Sequence, residues 1–380
     1  MKVMELLNWF VPLMIGAPWG SNKTRFLLIF FIYVLTVCWN SFNFDDTLMV
    51  TIYQIGQSAG NQIEIESLRD YTLVIASTNL ISIEKIEKNN KLGSYLAGLI
   101  EGDGHIALPF LSESSKKGSS PRFEITFHDS NLPLAQKLVE TLNCGKVRFL
   151  KTQNAYRLEF KGPQELIKIV TLVNGHFRTP KIESLNRLIN WLNSSPRDHD
   201  AASLNCNFEK YTNDTSSLLN NPWFAGFSDA DSNFYIRTSE KTMNPVTGKF
   251  SKARIACRFA LEQRKIEPKF LQPTEPFMKQ IADTFHVSLL TSKHNNPPSE
   301  YWCIHVSSKK GVKELINYFS NFPLMGSKYL DFLDFRSVYE LIDQNIHLTE
   351  SGRLEIYNLK NKMNKARIEY SWDHLKNFYN

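Results

Sequence analysis

From residue 91 onward, short stretches with alternating hydrophobic and polar positions lie between stretches in which hydrophobic residues recur at helical spacing. Alternation with period two is typical of strands that bury one face. In the stretch 254–262, one face collects the apolar residues and the other collects Arg254, Arg258 and Glu262. The stretch 156–160 separates Arg157 and Glu159 from its apolar residues in the same way. The pattern predicts antiparallel sheets with one face on a core and one polar, basic face.

The order of the predicted elements occurs twice, in blocks 91–193 and 221–345. In the first block we predict strands at 105–108, 122–127, 146–150 and 156–160 and helices at 132–142, 164–173 and 183–192. In the second block we predict strands at 233–238, 253–262, 287–291 and 301–306 and helices at 270–285, 310–319 and 330–342. Residues 194–220 have the composition of a surface linker, and residues 346–380 that of a polar helical tail. The fold class is therefore α+β, with two pseudo-symmetric subdomains.

The first ninety residues differ in character from the rest. The apolar stretch 26–39 is short for a membrane span, which takes about 20 residues, so membrane contact through it is left open. The segment NWFVPLMIGAP, from Asn8 to Pro18, resembles a membrane-embedded segment of cytochrome c oxidase subunit 1. That resemblance implies a reading frame running from an oxidase exon into an intron, inside a mitochondrion. The alternative for residues 1–40 is a generic membrane anchor, and residues 41–90 suggest no role.

Composition narrows the function classes only slightly. The chain has 380 residues, with 44 Lys and Arg against 38 Asp and Glu, a net charge of +6. This modest basic excess permits a polyanionic partner without identifying one. The 5 cysteines are scattered singly, without the CxxC or Cys/His spacing of a zinc site. Isolated cysteines in odd number argue against a disulfide framework and favour a reducing compartment.

Each block opens with a segment that has small residues four positions apart. The segments are LAGLIEGDG at 96–104 and FAGFSDADS at 224–232. Residues four apart lie on one stripe of a helix, and small side chains let two helix backbones approach closely. We therefore expect the two helices to pack against each other, across a pseudo-twofold axis, through Ala97, Gly98, Ala225 and Gly226.

An acid ends each of these helices, Asp103 in the first block and Asp231 in the second. The C-terminus is the negative end of the helix dipole, so a carboxylate there is unfavourable, and two carboxylates brought together repel. A hard divalent cation between them offsets both costs, and oxygen ligands favour Mg²⁺. Such an ion suits phosphodiester hydrolysis, because it activates water and stabilises the leaving oxygen. The alternative is two acidic helix ends with no metal.

The two segments resemble the paired motifs of the LAGLIDADG family of homing endonucleases and intron maturases, over about residues 91–342. The first copy is a near match. The second departs at Phe224, Phe227, Ser228 and Ser232 but keeps its small residues and both acids. The resemblance implies two αββαββα subdomains, with the motif helices at their interface and the antiparallel sheets forming a DNA saddle.

The resemblance also implies the metal ligands. In the family the last acid of each motif binds the metal, and the matching residues here are Asp103 and Asp231. The carbonyl groups of Gly102 and Ala230, which precede these acids, are expected to contribute further oxygen ligands.

Three more catalytic residues follow from the same resemblance. The family's basic residue ahead of the last helix matches Lys181 and Lys328, where each lysine could stabilise phosphate charge. The strand-end glutamine that helps order water matches Gln263. The first block has no glutamine there, and the residues nearby are Glu124, Phe127 and His128. This asymmetry, with Ser232, leaves open whether full cleavage activity is kept.

Basic residues on the predicted sheets and loops are the candidates for nucleic-acid contacts. Those in the first block are Lys116, Lys117, Arg122, Arg148 and Arg157. Those in the second are Arg237, Lys241, Lys249, Lys252, Arg254 and Arg258. Phosphate contacts give affinity, and arginines in the major groove can read guanine edges.

Two functions compete. The first is a site-specific homing endonuclease that cuts double-stranded DNA near an exon junction with Mg²⁺ and promotes the mobility of its mitochondrial intron. The alternative is a maturase that assists the splicing of its group I intron RNA without cleavage, for which the same fold and basic surface would serve. A third alternative, an inner-membrane structural protein, rests on residues 26–39 alone. Because one chain supplies both halves, we expect a monomer.

Overall fold

The computed structural model describes residues 90–108, 120–194, 207–243, 245–248, 250, 253–296 and 298–379, all within the unit Leu80–Asn380. The predictions for the apolar segment 1–40 and the extension that follows it therefore fall outside the described residues. The same holds for Lys116, Lys117, Lys249 and Lys252. Across the described ranges, no helix combines the length and apolar character that a membrane crossing requires.

The first block builds a four-stranded antiparallel sheet with the strand order β1-β2-β4-β3. Its strands are β1 Gly104–Ala107, β2 Arg122–His128, β3 Lys146–Leu150 and β4 Ala155–Lys161. Its helices are α1 at residues 90–103, α2 Leu132–Leu142, α3 Pro163–Val173 and α4 Ile182–Ser194.

The second block repeats this topology, with the strand order β5-β6-β8-β7. Its strands are β5 Ser232–Ser239, β6 Arg254–Arg264, β7 Leu290–Asn295 and β8 Pro298–Val306. Its helices are α5 Trp223–Asp231, α6 Glu275–Thr284, α7 Lys309–Asn321 and α8 Lys328–Asp343, followed by α9 Glu350–Asn361. The predicted α+β class with two pseudo-symmetric subdomains is confirmed. Each block is an αββαββα unit with one more helix at its end.

Helix α2 illustrates how the local sequence sets an element. Leu134, Leu138 and Leu142 recur every fourth position and are all buried, so one stripe of the helix faces the sheet. Proline in the first turn costs no hydrogen bond, because that N–H has no partner within the helix. The helix ends at Asn143, whose φ of 45° is left-handed, a conformation that asparagine tolerates.

Each sheet has one apolar and one polar face, as the alternation predicted. In β6, Phe259 and Leu261 are buried, whereas Arg254 and Glu262 are exposed. The helices pack on the apolar faces, where aromatic rings from helices and strands meet. In the second block, the ring centroids of Phe234 and Phe259 lie 5.2 Å apart in an edge-to-face arrangement. Because these faces are buried, the polar faces are left to bind partners.

One predicted helix begins later than expected. Residues 270–285 were predicted as helical, but α6 starts at Glu275. Residues 265–274, the crossing loop, instead form a compact excursion in which the N–H groups of Glu267 and Thr274 donate to the carbonyl groups of Gln272 and Lys265 at 2.9 and 3.0 Å. Proline at 273 favours the later start of α6, because proline restricts the residue before it to extended backbone.

The tail also differs from the expected polar helix. Only Glu350–Asn361 is α-helical, and the residues beyond it form short 3₁₀ turns. Arg367 pairs with Asp331 and Asp334 of α8, which directs the chain along that helix. The segment then ends with Phe378 and Tyr379 buried. Composition alone does not predict this packing, because few apolar residues of the tail, such as Phe378 and Tyr379, make the contact.

Candidate active site

Helices α1 and α5 touch backbone to backbone where they cross. A Cβ atom added to Gly98 would lie 2.0 Å from the carbonyl oxygen of Trp223, and one on Gly226 would lie 2.0 Å from that of Tyr95. A Cβ on Gly102 would lie 2.1 Å from the Cβ of Ala230. Ala97 and Ala225 are fully buried beside them. The crossing therefore places the C-terminal ends of the two helices next to each other.

The carboxylates of Asp103 and Asp231 lie at these adjacent ends. Both side chains reach solvent. Enough protein surrounds them, however, that desolvation is the main influence on the pKa of each carboxyl group. Desolvation and the negative charge of Asp231 raise the pKa of Asp103 to about 6, against the positive charges of Lys328 and Lys181. Desolvation likewise raises the pKa of Asp231. Burial and the repulsion of Asp103 by Asp231 both favour a cation at the pair.

Lys181 and Lys328 occupy equivalent positions around the pair. The Nζ of Lys181 donates to the carbonyl oxygen of Gly102 at 2.8 Å, and the Nζ of Lys328 donates to that of Ala230 at 2.6 Å. Burial lowers the pKa of both lysines, whereas the nearby carboxylates of Asp103 and Asp231 raise it. Each lysine also binds a further carbonyl group of its own motif helix. The two ammonium groups offset the negative ends of both helix dipoles.

Glu101 has a structural role that the sequence did not suggest. Its carboxylate is buried and accepts hydrogen bonds from the backbone N–H groups of Arg178 and Thr179, at distances between 2.6 and 3.0 Å. The indole N–H of Trp223, from the other motif helix, donates to it at 2.6 Å. Burial outweighs these donors and raises its pKa to about 7. Glu101 therefore fixes the loop that presents Lys181.

Asp229 repeats this arrangement in the second block. It accepts hydrogen bonds from the N–H groups of Met325 and Gly326 at 2.7 and 3.0 Å, and from the hydroxyl of Tyr95 in α1 at 2.8 Å. Burial raises its pKa to about 6. Each acid thus anchors the lysine loop of its own block and a donor from the other block. The sequence did carry a signal for this role, because each motif has an acid, Glu101 or Asp229, two positions before its last acid.

Gln263 lies beside Asp231, and the first block has no equivalent. The Nε2 of Gln263 donates to Oδ2 of Asp231 at 2.9 Å. In the strand register, Leu261 opposes Ser232 as Ile125 opposes Gly104. Two residues further along each strand, Gln263 therefore corresponds to Phe127. Phe127 is buried, and Glu124 and His128 stand elsewhere on the strand, so the two centres are chemically unequal.

The chain is similar in sequence and fold to known proteins. The family model described as LAGLIDADG endonuclease matches residues 96–192 and 224–339. The chain belongs to the LAGLIDADG endonuclease family. It is 33% identical over 317 residues to intron-encoded DNA endonuclease aI3 of Saccharomyces cerevisiae, covering 76% of this chain and 74% of that protein.

Two further similarities agree with the LAGLIDADG assignment. A protein described as an uncharacterized cox1 intron-2 37.2 kDa protein, from Schizosaccharomyces pombe, is 29% identical over 310 residues, covering 80% of this chain and 83% of that protein. The crystal structure of the LAGLIDADG homing endonuclease I-LtrWI bound to target DNA superposes with a TM-score of 0.51 at 18% identity, covering 74% of this chain and all of that one. At this identity, the structural likeness concerns the fold alone.

In the first LAGLIDADG subdomain, the arginines singled out in the sequence lie on the polar face of the sheet. Arg148 and Arg157 face each other across β3 and β4. Both are already engaged with carboxylates: Arg148 with Glu159 at 3.0 Å and Arg157 with Glu124 at 3.6 Å. Arg122 also pairs with Glu124. These ion pairs hold the arginine side chains in place on the face.

In the second subdomain, Arg237, Arg254 and Arg258 share the polar face of β5 and β6. Arg258 donates to the hydroxyl of Tyr235 at 3.3 Å. Lys241 lies 4.6 Å over the ring of Phe250 in the loop between these strands. Lys116, Lys117, Lys249 and Lys252 lie outside the described residues.

The donor set at the crossing fits a hard divalent cation. It consists of oxygen atoms from two carboxylates and two carbonyl groups, which is the ligand chemistry of Mg²⁺. The negative charge of Asp231 still contributes to the raised pKa of Asp103, after burial, although both lysines are close. A carbonyl oxygen has two lone pairs, so Gly102 and Ala230 can accept from a lysine and still face a metal ion. Outside this pair, no cluster of three or more His, Cys, Asp or Glu side chains suited to a metal occurs in the described ranges.

Proposed function

We propose that this protein is a site-specific DNA endonuclease that uses Mg²⁺ to hydrolyse phosphodiester bonds of double-stranded DNA. One observation carries the proposal: Asp103 and Asp231 meet at the crossing of two helices, between two sheets that each expose a basic polar face. The Saccharomyces cerevisiae relative is named as a DNA endonuclease, which supports the same activity.

The proposed chemistry divides among the residues of the crossing. Asp103 and Asp231, with the carbonyl oxygens of Gly102 and Ala230, would hold Mg²⁺, which lowers the pKa of bound water and stabilises the leaving oxygen. Gln263, which hydrogen-bonds Asp231, orients a water molecule on that side.

Positive charge comes from the lysines and from the sheets. Lys181 and Lys328 stabilise the negative charge that develops on the phosphate. The polar faces bind the duplex on both sides of the cut. Arginines held by Glu124 and Glu159 are preorganised for base edges, and the remaining cations bind phosphates.

The biological role follows from the proposed activity. We propose that cleavage near an exon junction promotes mobility of the intron that encodes the chain, within mitochondria. Two observations support this setting. The segment from Asn8 to Pro18 resembles a cytochrome c oxidase subunit 1 exon, and the Schizosaccharomyces pombe relative is described as a cox1 intron protein.

The test uses the full chain and linear DNA of the intron-less oxidase gene, centred on the codons for NWFVPLMIGAP. With Mg²⁺, the wild-type protein should produce a double-strand break at one position. Asp103→Asn and Asp231→Asn should each lower the cleavage rate about a hundredfold or more and still bind the DNA, because a metal centre supplies several kcal/mol of transition-state stabilisation.

The matched control is Asp283→Asn, which changes the charge equally at an exposed position on α6. It should cut at the wild-type rate. An Asp103→Asn protein that cut equally fast would remove the proposed centre. A wild-type protein that bound its intron RNA and left the DNA intact would instead support the maturase alternative.

A further inference from the structure

Two cations from different blocks meet beside the Asp103 centre. Lys269, in the crossing loop, donates from Nζ to the hydroxyl of Ser184 in α4 at 3.0 Å. The guanidinium of Arg187, one turn further along α4, lies 4.7 Å from the ring centroid of Phe270, and the Nζ of Lys269 lies 5.1 Å from the same ring. One aromatic ring therefore holds two like charges close together.

These two charges are poorly compensated. Burial and the charge of Arg187 lower the pKa of Lys269, and Glu267 opposes them only partly. The carboxylate of Glu267 also accepts the N–H of Phe270 at 2.6 Å. Within the described residues, neither Lys269 nor Arg187 forms an ion pair, and both side chains are exposed. Like charges held close at an accessible surface are stabilised by an anion between them.

The pair lies close to the polar face of the first sheet. His105, exposed on β1 two residues after Asp103, is near enough to Lys269 to interact with its charge, as it does with Lys181 and Arg122. The crossing loop thus carries a cation of the second block to the edge of the first block's centre.

Within the described residues, the connection that matches the crossing loop brings no cation to the second centre. The first block joins β2 to α2 through Asp129–Asn131, a connection of 3 residues. It reaches the other block through Asn131, whose side-chain oxygen accepts the N–H of Ser327 at 2.7 Å. Its charged member is the acid Asp129. The crossing loop therefore brings a lysine to the opposite block, whereas the matching connection brings the neutral side chain of Asn131.

We propose that Lys269 and Arg187 form a binding site for one backbone phosphate of DNA next to the Asp103 centre. The inference rests on the proposed DNA function. Lys269 uses one of its three donors on Ser184, so two are available for phosphate oxygens, and Arg187 presents a planar fork. The site contributes DNA affinity on the Asp103 side.

The first measurement is binding of the full chain to a duplex of the intron-less oxidase gene without divalent metal, over 50–200 mM KCl. Lys269→Met keeps the stem against Phe270 and removes the charge. It should raise the Kd about fivefold to tenfold and reduce the slope of log Kd against log salt by about 0.9. Lys269→Arg should retain most of the wild-type slope. Lys279→Met, on the exposed side of α6, removes an equal charge and should change neither quantity.

The second measurement resolves the two strands with separate end labels in the presence of Mg²⁺. Lys269→Met should slow nicking of one strand more than that of the other, because the site flanks only one centre. If wild type binds and cuts while Lys269→Met matches it in slope and in both strand rates, this inference alone is overturned. If wild type binds without cutting and Lys269→Met still reduces the slope, the phosphate site is supported and the endonuclease proposal is not. A wild-type protein that neither binds nor cuts overturns both.

Discussion

Two acids in each motif, two positions apart, have opposite environments. Asp103 reaches solvent beside Asp231, whereas Glu101 is enclosed by four donors. Desolvation raises the pKa of both acids. At Asp103 the like charge of Asp231 raises the pKa further, whereas at Glu101 the hydrogen bonds lower it. An acid that repels its neighbour is available to a cation, whereas one satisfied by backbone N–H groups positions a loop.

The charge coupling at the crossing can be measured directly. The carboxyl carbon of Asp103, followed by NMR in metal-free protein, should titrate near pH 6, and Asp231→Asn should move the midpoint toward the ordinary aspartate value because it removes a repelling charge. Cleavage should likewise fall as the pH is lowered, since protons compete with a metal ion for the carboxylates. Asp373→Asn, at an exposed side chain of the tail, should leave the midpoint unchanged. If the midpoint is the same with and without the charge of Asp231, the two carboxylates do not interact and the proposed pair is contradicted.

At the residue level, the sequence indicated the groups that repeat and missed those that depend on the fold. Asp103 with Asp231 and Lys181 with Lys328 stand at matching places in both blocks, so self-similarity predicted that they would lie near one another. Glu101 and Asp229 repeat equally well, but their donors are backbone N–H groups more than 70 positions away. Backbone donors have no residue type, so no sequence pattern reveals them.

At the scale of elements, the crossing of α1 and α5 determines everything that follows it. Because both backbones touch, the C-terminal ends of the two helices lie next to each other. Residues with large side chains would separate the helices and move the carboxylates apart. The small residues are therefore required by geometry.

Adding one methyl group to this crossing should be costly. Gly98→Ala places a Cβ 2.0 Å from a backbone oxygen that cannot rotate away, so the free energy of unfolding should fall by about 3 kcal/mol. Gly311→Ala, in α7, brings its Cβ no closer than 3.0 Å and gains helix propensity, so its change should be about 1 kcal/mol or less. Urea denaturation of both variants checks the difference. Equal stability of the two would contradict the close crossing.

Most elements were predictable because they alternate or repeat cleanly, but the strand predicted at 287–291 instead runs over Leu290–Asn295. The helix at Leu132–Leu142 and the strand at Lys146–Leu150 have the predicted bounds. The crossing loop was not predictable, because Phe270 and Leu271 extend the apolar pattern of α6 although they lie outside it. Phe270 contacts Arg187 of α4, in the other block, and a local pattern carries no information about such a contact.

At the scale of the whole molecule, the end of the described chain returns to its beginning. Tyr95 of the first motif helix packs against Phe378 and Tyr379, with ring centroids 6.0 and 5.1 Å away. The hydroxyl of Tyr379 donates to the carbonyl of Pro323 at 2.9 Å. The tail thus packs against both halves close to the buried side of the crossing.

This closure predicts an unequal response within the tail. Phe378→Ala should lower the free energy of unfolding by about 3–5 kcal/mol, because the ring is fully buried. Ile368→Ala, at a side chain that is 88% exposed, should change it by about 0.5 kcal/mol or less. Thermal and urea unfolding of the two variants test this. A Phe378→Ala protein as stable as Ile368→Ala would show that the tail contributes little to the fold.

The reciprocal bonds of Glu101 to Trp223 and of Asp229 to Tyr95 have a consequence for engineering. Each half carries an acceptor whose donor is supplied by the other half. A chimera that joins the front half of one relative to the back half of another must inherit these two donor–acceptor couples intact, or it buries an unmatched carboxylate at the seam. Compatibility between two halves therefore depends on these four residues of the helix crossing, independently of the DNA sequence that each half recognises.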